Sequence, residues 1–458
     1  MAEKQRGKRK KGSGGILPTL QPDAAGVDVG AREIYVAVPA DRDEEAVRHF
    51  TTFTEDLQKI AGWLKQCRVK SVAMEATGVY WIPLYQVLEE AGLEVCLVNA
   101  RHFQHVPGRK SDVADCQWLQ YLHTVGLLRS SFRPAQEICA LRTLWRHRES
   151  LVQMAAEHVQ HMQKALDQMN VQIHHVISDI TGVTGLAIVE AIIRGERNPQ
   201  KLAQLRQETI HASEEVIAKS LVGDYRDEHL MTLRQSLEFY RIYQKKIDEV
   251  DEEVCRRGRA LPSRIDMEQH PLPPSAKKRR RRPQHNAPRF DMRGEFYRLL
   301  GTDLTQVPAL DCSTIQTLFS EIGPDLSKFR SAAAFASWLT LCPNRETSGG
   351  KVLRSRTRKA RNRAAIALRV AAQTLHHSRS FLGQFYRRMR TKLGAPKAIT
   401  AAAHKLARLI YRLVTKGEAY DESVFAYYEA AHRLRIEARL RRQAKRLGFQ
   451  LLPIPTAA

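Results

Sequence analysis

The stretch Ala24-Ala-Gly-Val-Asp-Val-Gly-Ala-Arg-Glu-Ile-Tyr-Val-Ala-Val38 decides how the first part of the chain folds. Two short β-branched runs, Ala25–Gly30 and Glu33–Val38, are joined by a tight glycine-containing turn, the pattern of consecutive paired strands. Outward from it, Ala46–Phe53 reads as a third strand. Asp56–Cys67 then has a helical pattern, Ser71–Ala76 reads as a strand, Tyr80–Ala91 as a helix, Glu94–Asn99 as a strand and Asp112–His123 as a helix. Three strands followed by alternating helices and strands predict an α/β layer with a mixed sheet.

An acid sits inside the first run. Asp28 is flanked by apolar residues, and an ionised side chain there is costly unless it is paired or bound to metal. Glu75 closes another short strand in Ala73-Met-Glu-Ala-Thr-Gly78. Asp112 and Asp115, in Gly108-Arg-Lys-Ser-Asp-Val-Ala-Asp115, are spaced i, i+3 and share one face of a starting helix. Hard oxygen ligands converging from two strands and a helix suit Mg²⁺ or Mn²⁺, which hold phosphate oxygens on both sides of an in-line displacement. Taken singly, Asp112 reads more simply as a helix cap, and a lone strand acid as a residue on a solvated face. The set of four is what points to a metal site.

Past Pro134 the period becomes helical. Val152, Ala155, Val159, Met162, Leu166, Met169, Ile173, Val176 and Ile180 recur at spacings of three and four. Leu230, Leu233, Leu237, Tyr240 and Ile247 repeat the pattern in a second helix, broken at Gln244. Such seams pair either within one chain or between protomers. Pro271-Leu-Pro-Pro and six consecutive basic residues, Lys277–Arg282, read as a disordered linker or insertion over 256–292, a solvated tether or a nucleic-acid contact. A mostly helical domain follows.

With 73 Lys and Arg against 49 Asp and Glu, the net charge is +24, which makes nucleic acid the leading partner class. The charge is segregated: +5 over residues 1–15, +9 over 256–290 and +18 over 351–417, where no acid occurs, leaving the remainder net −8. No apolar run reaches the ~20 residues that span a bilayer and no signal-peptide core opens the chain, so a cytoplasmic, non-membrane protein is expected. Seven scattered cysteines without a CxxC or Cys/His cluster argue for reduced thiols and against a structural zinc site.

The +18 stretch begins beside Ala336-Ser-Trp-Leu-Thr-Leu-Cys-Pro-Asn-Arg-Glu-Thr-Ser-Gly-Gly-Lys351. Pro343 and Gly349-Gly350 predict a loop that brings backbone close to a ligand. Ser348 in that loop is either ordinary turn chemistry or a nucleophile, and cations nearby suit a transferring phosphoryl group.

Gly-Val-Asp-Val-Gly at 26–30, Met-Glu-Ala-Thr-Gly-Val-Tyr-Trp at 74–81, Val-Asn-Ala-Arg-His at 98–102 and Gly-Arg-Lys-Ser-Asp-x-x-Asp at 108–115 resemble the DEDD transposases of the 110 group of insertion sequences. The resemblance is clear over about 24–135 and 295–420. It implies a RuvC-like, RNase H-fold N-terminal domain with Asp28, Glu75, Asp112 and Asp115 as the metal-binding catalytic tetrad. It implies Ser348 as the nucleophile that becomes covalently joined to DNA, with Thr347 a weaker candidate. It also implies a structured bridge RNA that pairs with donor and target DNA, and dimers pairing into a tetramer whose active sites combine the tetrad and serine of different protomers. A bacterial or archaeal, nucleoid-associated setting goes with it.

The expected domains are a disordered basic arm at 1–20, the RuvC-like domain at 21–135, a helical coiled-coil domain at 136–255, the basic insertion at 256–292 and a C-terminal domain carrying the serine loop at 293–450. Arg109, Lys110, Lys351, Arg354, Arg356, Arg358, Lys359, Arg387 and Arg388 are the expected nucleic-acid contacts, and Tyr386 and Arg390 belong to the same cluster as the last two. Asp303–Ile315 resembles a helix-hairpin-helix in which Ala309 and Asp311 stand at the glycine positions, so a structural helix turn is expected. Two rivals stay open: a Holliday-junction nuclease in which water attacks, and a non-catalytic RNA-binding protein.

Overall fold

Glu33–Ala37 (β2) folds back antiparallel on Ala24–Val29 (β1), with Val27 opposite Val36 and Asp28 opposite Tyr35, as the opening stretch predicts. The computed structural model describes residues 17–76, 78–99, 112–275, 286–358, 362–450 and 452. It consists of two units, Met1–Arg133 and Pro134–Ala458.

In the first unit, Val47–Thr51 (β3), Thr54–Gln66 (α1), Ser71–Glu75 (β4), Trp81–Glu90 (α2), Glu94–Val98 (β5) and Asp112–Thr124 (α3) follow in order. The five strands form one mixed sheet in the order β3-β2-β1-β4-β5, with β1, β4 and β5 parallel. One face packs on α1 and α2 through Val27, Val29, Ile34, Val36, Leu57, Ile60, Leu64, Val72, Met74, Leu84 and Leu88. Burying each such side chain contributes about 1.5–3 kcal/mol. The other face of β1 lies directly against α3. A Cβ on Gly26 would stand 2.2 Å from the Cys116 carbonyl oxygen and 2.3 Å from the Gln120 nitrogen, so only glycine admits the helix.

The second unit opens with Gln136–Gln168 (α4), Ile173–Val176 (α5), Val183–Ile193 (α6), Pro199–Ala203 (α7), Glu214–Ser220 (α8) and Asp227–Ala260 (α9). The long helices α4 and α9 pack on each other within the chain, the intrachain reading of the seams. Between them Arg148 and Asp251, both buried, form a bidentate ion pair, and Arg148 also donates to the Asn286 carbonyl at 3.0 Å. The first seam is not one helix to Ile180. It stops at Gln168, because Asn170 takes the left-handed conformation (φ 55°), and Ile173 and Ile180 reach the same core from the short segments beyond.

The proposed insertion also begins differently. Helix α9 continues to Ala260, and Arg298 donates to the Gly258 and Leu261 carbonyls while Arg293 donates to the Pro273 carbonyl. Residues 256–275 are therefore held against Met292–Leu300 (α10), and Lys277–Arg282 lie outside the described residues, as do residues 1–16 of the arm.

The C-terminal elements are Cys312–Ile322 (α11), Ala332–Trp338 (α12), Pro343–Ser348 (β6), Lys351–Thr357 (β7), Arg363–Thr374 (α13), Phe381–Leu393 (α14), Ala395–Lys416 (α15) and Ala426–Arg446 (α16). In the turn before α11, Ala309 itself takes the left-handed backbone (φ 77°), and the Asp311 carboxylate caps α11 by accepting from the Thr314 N–H at 2.9 Å. No described helix is long and apolar enough to cross a membrane. None of the seven cysteines is paired in a disulfide.

Candidate functional site

Strands β1 and β4 run parallel with Val27 level with Met74, so the next step sets Asp28 beside Glu75. Side chains alternate across a strand. Val27, Val29 and Met74 point into the α1–α2 core, which leaves Asp28 and Glu75 on the opposite face, where α3 lies. The close approach at Gly26 brings the first turn of α3, with Asp112 and Asp115, to the same place. The electrostatics record the convergence: burial, then the charges of Glu75, Asp112 and Asp115, push the Asp28 carboxyl up to about 6, against the Val29 backbone N–H that favours its charge. Burial and the charge of Asp28 also push the neighbouring Cys116 thiol up to about 12. Four acids on two adjacent strand ends and one helix turn are a costly arrangement without a cation, and an all-oxygen donor set fits a hard divalent ion. Each of the four expected tetrad residues is thus brought to one locus.

Ser348 ends β6 and pairs with Lys351 across Gly349 and Gly350, whose φ values of 55° and 76° make a two-residue left-handed turn. What the sequence predicts as a loop is a β-hairpin. Two glycines between extended runs are the usual signal for one. Every residue of β6 is exposed, and a register shift falls between Glu346 and Thr347. Arg354 lies opposite Glu346, at 3.9 Å between the charged groups, and Arg356 opposite Asn344; Lys351, Arg354, Arg356 and Arg358 are all exposed.

The three arginines of α14 have internal neighbours. Arg387 donates to the His376 and Ser378 carbonyls at 3.1 and 2.6 Å, and Arg388 lies 6.0 Å from the Phe381 ring centroid. Tyr386 of that cluster is buried, and Arg390 lies 3.1 Å from the His376 ring. Arg109, Lys110 and Lys359 fall outside the described residues. A cleft of about 720 Å³ that the sequence reading missed adjoins the foot of the hairpin at Pro343 and is lined by His404, Lys405, Arg408 and Arg412 of α15 with Phe385 and Phe425. The spacing of His404, Arg408 and Arg412 at i, i+4 and i+8 was the available signal, since it sets one imidazole and two guanidinium cations on one helical face.

Two family models match this chain. Residues 25–171 match a DEDD model described as Transposase, and residues 301–387 match one described as Transposase IS116/IS110/IS902 family. The chain belongs to this family. The first match takes in Asp28, Glu75, Asp112 and Asp115, and the second takes in Ser348 and the hairpin of this family member. A Sinorhizobium fredii protein with the provisional transposase name y4pF/y4sB is 34% identical over 110 residues, which are 22% of this chain and 27% of that relative. The chain therefore matches little more than a quarter of the relative's length.

Proposed function

We propose that this chain is the recombinase of an insertion sequence, cutting and rejoining DNA through Ser348 with a divalent cation, Mg²⁺ or Mn²⁺, held by Asp28, Glu75, Asp112 and Asp115. The observation that carries the reading is the convergence of the four carboxylates on Asp28, inside a family of transposases. The bound cation would supply charge for phosphate oxygens and for a hydroxyl losing its proton. The chain's own residues do the rest. Ser348 Oγ attacks a backbone phosphorus, an Oγ–P bond forms as one deoxyribose–phosphate bond breaks, and the released sugar hydroxyl takes up a proton. A hydroxyl from another DNA end then attacks the phosphoserine and returns the serine free, so each break is followed by a join. Lys351, Arg354, Arg356 and Arg358 hold phosphates along the exposed hairpin, positioning the backbone without reading bases.

Sequence choice is assigned to a structured guide RNA pairing with donor and target, with the basic segments holding RNA and duplex by shape and charge. The working form is a homo-oligomer, a dimer pairing into a tetramer, in a bacterial or archaeal cytoplasm on the nucleoid. A RuvC-like domain at 21–135 and an RNase H-like assignment for the sheet belong to the same proposal. The strand order β3-β2-β1-β4-β5, with an acid on the central strand, supports that assignment.

The test is incubation of the protein and its copurifying RNA with element-end DNA, followed by denaturing gels. A protein–DNA adduct that Ser348→Ala abolishes is expected. Cleavage that persists in Ser348→Ala without an adduct would replace the serine by water and refute the covalent route.

A further inference from the structure

We propose that Asp167, His174 and His175 form a second, distinct metal site that takes a borderline divalent ion such as Zn²⁺. Asp167 stands in the last turn of α4, and the two histidines lie in α5, across the turn that ends the long helix. His174 Nε2 lies 3.3 Å and His175 Nε2 3.9 Å from Asp167 Oδ1, and one ligand atom of each residue falls within 4.8 Å of the other two. The rings themselves are 4.1 Å apart. A tetrahedral zinc with bonds of about 2.0–2.2 Å sets neighbouring ligand atoms about 3.3–3.6 Å apart, so the three need only small adjustments to close on one ion.

Two further features favour a ligand over a plain ion pair. The His174 side chain is only 8% exposed, which fixes its ring, and Nε2 is the nitrogen turned toward Asp167. The turn is also held rigid. Met169, Val171 and Ile173 are fully buried, the Met169 carbonyl accepts from the Asp224 N–H at 2.8 Å, and the Gln172 N–H donates to the Ser220 carbonyl at 2.7 Å. The ligands therefore project from a fixed scaffold, with room for a solvent ligand beside the exposed Asp167 and His175. Two imidazoles and one carboxylate select zinc-like ions, unlike the all-carboxylate locus on β1, β4 and α3. The site uses no cysteine, which is why cysteine spacing gave no hint of it. Bound metal would staple the end of α4 to α5.

The experiment is metal counting on the full chain, stripped with chelator and dialysed against Zn²⁺, in an Asp28→Asn, Glu75→Gln background that removes the other carboxylate site. One Zn²⁺ per chain is expected, lost in His174→Ala and in His175→Gln, and Co²⁺ should give a visible four-coordinate spectrum that both variants abolish. His175 is exposed, so its variant folds and decides the matter if His174→Ala does not. Equal Zn²⁺ content with and without His175→Gln, or no retained Zn²⁺ in the parent, would overturn the site and leave an ion pair.

Discussion

Gly26→Ala is the sharpest perturbation available, because it alters no acid and no candidate metal ligand. The added methyl would sit 2.2 Å from the Cys116 carbonyl oxygen and 2.3 Å from the Gln120 nitrogen, where ordinary contacts begin near 3.4 Å. Both atoms belong to backbone that cannot swing aside, so α3 has to retreat from β1 by roughly 1 Å, and overpacking of this kind costs about 1–3 kcal/mol. Asp112 and Asp115 ride on the first turn of α3 and move with it, whereas Asp28 and Glu75 stay on the sheet. Metal ligands tolerate only about 0.2 Å of error, so Mn²⁺ affinity is expected to fall at least ~10-fold. DNA cleavage should drop by about 100-fold, the usual consequence of a 1 Å misplacement. Gly62→Ala is the matched control: it lies inside α1 with nothing within 4 Å of the new methyl, and should stabilise the protein by about 0.5–1 kcal/mol without changing Mn²⁺ affinity. Urea unfolding and Mn²⁺ titration on both variants provide the readouts. Gly26→Ala with the wild-type midpoint and wild-type affinity would refute the claim that α3 is pressed on β1 to deliver its two acids.

Other outcomes follow from the same geometry. The folded Asp28 carboxyl is raised from 3.8 to about 6, so the folded state holds its proton more tightly, and the chelated protein should lose stability as pH rises from about 4 to 6. Asp28→Asn removes that loss and should be more stable than wild type above pH 6, by on the order of 2 kcal/mol, and equal to it below pH 4, as urea unfolding in EDTA would show. Arg148→Met strands the buried Asp251 charge and should cost about 3–5 kcal/mol, while the double variant Arg148→Met, Asp251→Leu should recover most of it; thermal melts of the set decide. Replacing Gly349 or Gly350 by Ala forces a left-handed alanine at about 1 kcal/mol in an exposed hairpin, so adduct formation should slow while the melting temperature stays put.

The strands and helices of the first unit were legible because each has a clear local period and burial on one face. Its four acids stood out because they interrupt apolar runs or open a helix. Their meeting was not legible from spacing, since it depends on the contact between Gly26 and the backbone at Cys116, far apart in sequence. Asn170 is a common left-handed helix stop, and reading it would have ended the first seam at Gln168. The hairpin was likewise written in Gly349-Gly350, but Pro343 and the polar run made a loop the simpler reading. Arg387 shows the opposite limit. Its charge and neighbours suggest a phosphate contact, yet two carbonyls supplied by the turn before α14 engage it. No periodicity in the sequence reveals a carbonyl's direction.

The β6–β7 hairpin hides almost nothing from solvent, and that has an evolutionary consequence. Substitutions along it leave the packed core untouched, so folding sets no filter on which residues it displays. The paired glycines are held in place by backbone geometry, and under the proposed chemistry Ser348 and the phosphate-holding cations beside it are held by function. A surface of this kind can drift quickly from one relative to the next while the rest of the chain remains stable, and if it holds nucleic acid as proposed, its fit to that partner drifts with it.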